Sequence, residues 1–412
     1  MTDDAPAARP GTQSSVPSFW AMVALLIGAQ TIGSVCNTTL PAIAPEVASA
    51  LGTPSRMIGY QISLLAAGME ISFAFGGNTS RRFGACRVSQ VSLAMFGLGI
   101  AICAIPHLLA LGLGSLLLGL GYGLLTPAAS HLLMRFTPVE RRNVVFSIKQ
   151  TGVPLGGMVA AAIQPAIATY LGWQYALGLA ALASFAFAVA LQRYRAAWDD
   201  DRDPSVRATT NPMLGIGMVW RDRSLRYLSV AGTLLVVAQI CLFTFTVVMF
   251  TDDVGYSLIA AGFVLTVSHA GGVVGRIFWG WAADRWGNCI AALQTLCLIM
   301  ALGVALCAFV DIGWPLFLVY ALFFILGSTA SGWNGAFLAE VARLSPPGHV
   351  GTATGASLFI VNTGQLVGPI FVAQAYLYSG SYTTAFAIIA LPTLVAFGLL
   401  AAAGRILAVR GR

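Results

Sequence analysis

Charge is scarce in this chain. Only 9% of its 412 residues are charged and 58% are hydrophobic, whereas an ordinary soluble domain carries about a quarter charged residues. So little polar surface cannot clothe a water-soluble fold, and the basic residues lie between apolar runs. The net charge of +7 therefore reads as membrane topology and not as a nucleic-acid footprint. Also missing are a Gly-rich phosphate loop ending in Lys-Ser/Thr, a metal-ligand spacing and a nucleophile constellation. These absences argue against an enzyme, a metal or cofactor site and a nucleotide-driven pump, leaving ion or substrate gradients as the energy source. The seven cysteines imply no disulfide framework. Lysine is rarest of all: Lys149 stands alone.

What the chain does have is twelve apolar stretches, from 19–41 to 382–404, each near the ~20 residues that span a bilayer. Strand periodicity is absent, so each is expected to be a helix. The predicted fold is an all-α integral membrane protein of twelve transmembrane helices in two six-helix pseudo-repeats. Residues 1–18 (acidic, Pro/Ser-rich, unlike the basic start of a signal peptide) are expected to form a disordered cytoplasmic tail. Bundles at 19–192 and 225–404 flank a solvated linker at 193–224, and 405–412 forms a second cytoplasmic tail. The end of the linker, PMLGIGMVWRDRS, suits a short interfacial helix with Trp220 at headgroup level.

Nineteen of the 22 Lys+Arg fall in the two tails and the even-numbered connections; only Arg56, Lys149 and Arg276 do not. The positive-inside rule then places both termini in the cytoplasm of a multi-pass protein of the cytoplasmic (inner) membrane. No feature calls for a second copy, and the chain reads as a monomer.

The halves echo each other. Gly77-Asn-Thr-Ser-Arg81-Arg82-Phe-Gly84 closes the second span and Gly280-Trp-Ala-Ala-Asp284-Arg285-Trp-Gly287 the eighth. Thr151-Gly152-Val-Pro154-Leu-Gly156-Gly157 in the fifth span returns as Thr363-Gly364-Gln365-Leu-Val-Gly368-Pro369 in the eleventh. Duplicated halves around a linker are common among transporters, with substrate held at the midplane between repeats. The Gly280-x-x-x-Asp284-Arg285-x-Gly287 run resembles the loop motif of the major facilitator superfamily, and twelve spans with a mid-chain linker fit that family over nearly the whole chain. The Gly152–Gly157 run resembles the span-5 motif described for antiporters, and SIKQTGVPLGG resembles bacterial permeases grouped with cyanate transporters. Two positions depart from the pattern. Arg81 stands where the loop motif has Asp, and Ser115 or Leu117 stands where many proton-coupled members have Arg. The resemblance implies alternating access, with spans 5 and 8 facing each other across the seam between halves.

Candidate residues follow from charge in hydrocarbon. Lys149 lies about 9 Å along its helix from the charged mouth, and Arg276 about 12 Å from the Asp284 end of its own. Intramembrane charges usually face a bundle interior or a wet cavity. If the family seam carries over, the two cations converge, and an anion between them would relieve their repulsion. The competing readings are that Lys149 snorkels to headgroups and that Arg276 braces its own loop. Gln150, Asn37, Asn362 and Gln365 are polar groups suited to line such a site. Glu70, the only carboxylate deep in a span, is either a proton-coupling group or the partner of Lys149. Cytoplasmic latches are expected from Asp284 and Arg285 with Glu340, and from Arg81 or Arg82 with Glu140. His131 and His269 read as hydrogen-bonded structural histidines more readily than as proton relays.

Three functions compete. The first is a secondary transporter for a small organic or inorganic anion, with a proton as possible co-substrate. The second is an efflux pump for hydrophobic compounds, favoured by an aromatic cavity. The third is a transporter-like receptor without turnover, which the short linker disfavours.

Overall fold

The computed structural model describes residues 18–138, 141–208, 213–346 and 349–410. Every described element is helical, as a hydrocarbon solvent demands of backbone groups that have no water to bond. The first half comprises α1 (Phe19–Ala42), α2 (Ala44–Ala50), α3 (Met57–Phe75), α4 (Thr79–Phe83), α5 (Ala85–Cys103), α6 (Leu108–Phe136), α7 (Arg142–Gln150), α8 (Gly152–Tyr170) and α9 (Trp173–Ala190). A short α10 (Arg195–Trp198) and α11 (Met213–Arg221) lead to the second half. That half holds α12 (Arg223–Val248), α13 (Leu258–Trp286), α14 (Cys289–Leu306), α15 (Leu316–Leu344), α16 (Val350–Ser379), α17 (Tyr382–Ile388) and α18 (Ala390–Arg410). Twelve described helical segments are long and apolar enough to cross a membrane, and the protein is a multi-pass membrane protein. Leu64, Ile71 and Phe75 on α3, like Ile277 and Trp281 on α13, are exposed where lipid would cover them.

Small residues set the packing. A Cβ on Gly119 of α6 would strike the Leu65 carbonyl of α3, and one on Gly327 of α15 would strike the Ser268 carbonyl of α13. Gly152 of α8 likewise lies against the Ile27 carbonyl of α1, and Gly364 of α16 against the Thr233 carbonyl of α12. Backbones this close are held by dispersion and leave no room for a side chain. The two halves repeat these contacts in register.

Two seams join the halves. Gly59 of α3 abuts the Pro369 carbonyl of α16, and Gln374 Nε2 donates to the Tyr60 hydroxyl at 2.7 Å. In the other seam Gly262 of α13 sits against Pro165 and Ala161 of α8. All these contacts lie toward the end away from the arginine-rich connections, and close the interface there.

The linker is less solvated than expected. A 3-10 turn at Leu191–Tyr194 and then α10 extend α9, and Trp198 is buried, stacked on Tyr194 at 5.5 Å. The acidic run that follows grips the first bundle. Asp199 accepts from the backbone nitrogens of Cys86 (2.7 Å) and Arg87 (3.1 Å), capping α5. Arg135 reaches Asp200 at 2.5 Å and Asp201 at 3.1 Å, and His131 Nε2 lies 2.8 Å from Asp201. The Arg135 hydrogen bond holds the Asp200 carboxyl below the usual carboxylate range. His131 thus takes a structural place. Gly84, at φ +93°, makes the turn into α5 beside Asp199, where a side chain would collide with the carboxylate. The expected interfacial helix exists as α11, but it is not free of the bundle: Gly215 packs on Thr352 and Ala356 of α16, while Trp220 stays 51% exposed. The expected tail at 1–18 lies outside the described residues except Ser18, and α18 carries helix through Arg410.

Candidate substrate cavity

A cavity of about 1190 Å³ opens between the halves. It runs from Asn37, Thr38 and Pro41 of α1 to Gly77, Met134, Gly215 and Thr352, which lie at the arginine-rich end. Since the seams close the other end, access is from the arginine-rich face.

Arg276 is the charge on its wall. Its guanidinium donates to the Gln150 carbonyl at 3.3 Å, and its buried Nε has no hydrogen-bond partner. No carboxylate pairs with it among the described residues. The same Gln150 accepts from Lys149 through its side-chain oxygen at 3.4 Å, and His269 and Tyr122 line the cavity with Arg276. Gln150, at the end of α7, thus contacts both intramembrane cations.

Lys149 departs from the expected role. It is 2% exposed and does not line the cavity. Its ammonium turns toward α1, donating to Gln30 Oε1 at 2.7 Å and Gln150 Oε1 at 3.4 Å. It neither snorkels nor stands open to a substrate, because two amide oxygens solvate it inside the protein. Nor does Glu70 pair with it. Both Glu70 oxygens are buried without a hydrogen-bond partner, and α3 ends at Phe75, so Glu70 lies about 7 Å from that end, less deep than expected. Its position on α3 repeats that of Gly59, so it shares the helix face that meets α16.

Gln150, Asn37, Asn362 and Gln365 all line the cavity. Asn37 Oδ1 is buried without a partner, and Gln365 Nε2 donates to Asn362 Oδ1 at 2.8 Å. Several lining groups were not singled out in the sequence. Tyr122 accepts a hydrogen bond from Gln30 Nε2 at 2.9 Å. Trp333 Nε1 donates to Gln239 Oε1 at 3.1 Å. Phe243 stacks at 4.2 Å on His269, which was expected to be hydrogen-bonded, yet neither imidazole nitrogen has a partner among the described residues. The signal for Tyr122 was its setting, Gly119-Leu-Gly121-Tyr122-Gly123: glycines around one aromatic mark a helix pressed tightly against neighbours.

The latch residues lie outside the cavity. Asp284 and Arg285 are exposed, with no recorded side-chain partner among the described residues. Glu340 is buried and held by Arg343, at 2.5 and 2.9 Å, in place of the expected Arg285. That pair sits three residues apart on one helix, where neighbours meet most easily. Arg82 donates to the Val206 carbonyl at 3.1 Å, and the Arg81 carbonyl accepts from Asp203 N at 2.8 Å. Glu140 lies outside the described residues.

The Major Facilitator Superfamily model matches residues 19–369 and 250–408. The chain belongs to that superfamily. That superfamily is one of membrane transporters. Its curated relatives include an uncharacterized MFS-type transporter of Mycobacterium tuberculosis, 24% identical over 72% of this chain and 66% of the relative, so the match spans slightly under two thirds of that protein. The hexuronate transporter of Bacillus subtilis is 22% identical, covering 89% of this chain and 90% of its own. The 4-hydroxybenzoate transporter PcaK of Pseudomonas aeruginosa is 25% identical over 85% of each. Among solved structures, a POT family transporter in complex with 5-aminolevulinic acid superposes with a TM-score of 0.76 at 13% identity, over 95% of this chain and 98% of that one. That likeness supports the fold.

Proposed function

We propose that this superfamily member moves small organic anions across the cytoplasmic membrane by alternating access, and that Arg276 selects the charge. The observation that carries the reading is a guanidinium in the wall of the inter-half cavity with no carboxylate to neutralise it. An unpaired cation in low dielectric is costly, and an anionic substrate supplies the missing partner. Relatives named for a sugar acid and an aromatic acid are in keeping with this. With the arginine-rich face in the cytoplasm, the conformation described is inward-open. The exposed Asp284 and Arg285 then belong to a latch that forms when that face closes, with Arg81 and Arg82 as its counterparts in the first half. Glu70 is the proposed proton carrier. An ionised carboxylate with neither cation nor donor is uncompensated in this state, so a proton would accompany it until the halves rock. The working unit is the monomer.

A second reading has its own support. Phe73, Phe146, Phe243, Trp333 and Phe359 give the cavity aromatic walls, which suit a hydrophobic drug-like substrate. Uptake into proteoliposomes separates the two. The anion reading expects galacturonate or 4-hydroxybenzoate to be carried, and Arg276→Gln to abolish it while the protein stays folded. Transport of lipophilic cations with equal rates in parent and Arg276→Gln would favour efflux.

A further inference from the structure

We infer that the Tyr122 hydroxyl is the second ligand of the anion, aimed at it by Lys149 through the side chain of Gln30. The inference rests on the anion reading above. An ammonium has donors and no acceptor, so the amide oxygen of Gln30 must face Lys149, as it does at 2.7 Å. The amide nitrogen then faces the other way and donates to Tyr122 at 2.9 Å. A phenol whose oxygen already accepts keeps its own proton for another acceptor. Among the described residues no acceptor takes that proton, and Tyr122 lines the same cavity as Arg276. The relay therefore presents an O–H donor to the cavity whose wall carries the guanidinium, and an oxyanion between them satisfies both. One carboxylate oxygen faces the cation and the other the phenol.

Lys149 is a positioning residue in this scheme. Its charge fixes the direction of a two-bond chain, and hydrogen bonds so aligned polarise one another. Without it the Gln30 amide can turn over and accept the phenol proton itself. The cavity then loses a donor although Tyr122 remains. Gln30→Glu makes the same reversal without emptying any space: a carboxylate still pairs with Lys149, and its second oxygen takes the proton from Tyr122.

The test is equilibrium binding of galacturonate, 4-hydroxybenzoate and the neutral 4-hydroxybenzamide to detergent-purified full-length protein. The variants are Tyr122→Phe, Gln30→Glu, Lys149→Met, Arg276→Gln and the Tyr122→Phe/Lys149→Met double, each first checked for a cooperative melt. Loss of one hydrogen bond to a charged group predicts about 10- to 100-fold weaker carboxylate binding in each of the first three, with amide binding little changed. The double variant should be no weaker than Tyr122→Phe alone, because both lesions remove one donor. Should Lys149→Met fail to fold, Gln30→Glu carries the test. Parental carboxylate affinity in Tyr122→Phe, with loss in Arg276→Gln, overturns the inference and leaves the anion reading intact. Loss in Tyr122→Phe with parental affinity in Gln30→Glu overturns the directed relay. Failure of the parent to bind either carboxylate overturns the proposed function and this inference together.

Discussion

In the first half Gly152 sits against Ile27 and Gln30 of α1; in the second, Gly364 sits against Thr233 and Val236 of α12. Following that register, Lys149 corresponds to Val361, Gln30 to Val236, and Tyr122 to Ala330. Val361 and Ala330 are fully buried and apolar, so the second half completes the same packing with no relay. The loops at Gly77 and Gly280 set the register of α3 against α13, and there the exchange runs both ways. Glu70 corresponds to Val273, and Arg276 to Phe73. The second half thus owns the cation in the cavity wall, while the first owns the lysine relay and the lone carboxylate. Shared glycines build the skeleton twice, and the chemistry is divided between the copies. A substrate touching both has reason to bring them together, which is what a rocking transporter needs of its ligand.

Several substitutions test that division, from the largest effect down. Arg276→Phe gives the second half the residue of the first. Removing one member of a desolvated charge pair costs about 2–5 kcal/mol, so anion affinity should fall by roughly 30- to several thousand-fold, with melting temperature unchanged or raised; isothermal titration reads the first and calorimetry the second. Gln30→Val with Lys149→Met converts the relay to the apolar state of its counterpart. Replacing buried charge by packed hydrocarbon is often neutral or stabilising. The double variant is therefore expected to melt no lower than the parent, while binding carboxylates about 10- to 100-fold more weakly. A collapse of the fold would assign Lys149 to stability and not to the site.

Glu70→Val, matching Val273, should leave binding near parental and remove the response of vesicle uptake to an imposed proton gradient; an unchanged response would acquit Glu70 of coupling. Smaller still is Asp199→Ala. Loss of a helix cap costs about 0.5–2 kcal/mol, which should lower the melting temperature by a few degrees and leave affinity alone. Asp284→Asn should raise cysteine labelling inside the cavity from the cytoplasmic side by a modest factor, and equal labelling would remove Asp284 from the latch.

The skeleton was legible in the sequence because its causes are local. Twelve apolar runs, the Gly-x-x-x-Asp-Arg-x-Gly loop and the repeated Thr-Gly run each carry their own signal. Arg276 was legible too, since a cation inside an apolar span usually faces the bundle interior or a wet cavity. Lys149 was found but misassigned. Whether its side chain faces the cavity or α1 depends on Gln30, far away in sequence, and on a rotation of α7 that periodicity does not fix. Glu340 was matched to Arg285 although Arg343, one turn on, was the nearer partner. The linker read as solvated because DDDRDP is acidic, yet its acidity is what binds it to Arg135, His131 and the start of α5. Tyr122 escaped notice because a lone tyrosine in an apolar helix resembles any lipid-facing aromatic.

The most direct test of the central claim is the ratio of 4-hydroxybenzoate to 4-hydroxybenzamide affinity in the parent and in Arg276→Gln. The ligands differ in charge and little in shape, so the ratio isolates what the guanidinium contributes. A cavity selecting anions through Arg276 predicts a strong preference for the carboxylate in the parent, collapsing toward unity in the variant while amide binding persists. A carboxylate preference that survives the substitution undiminished would contradict the account.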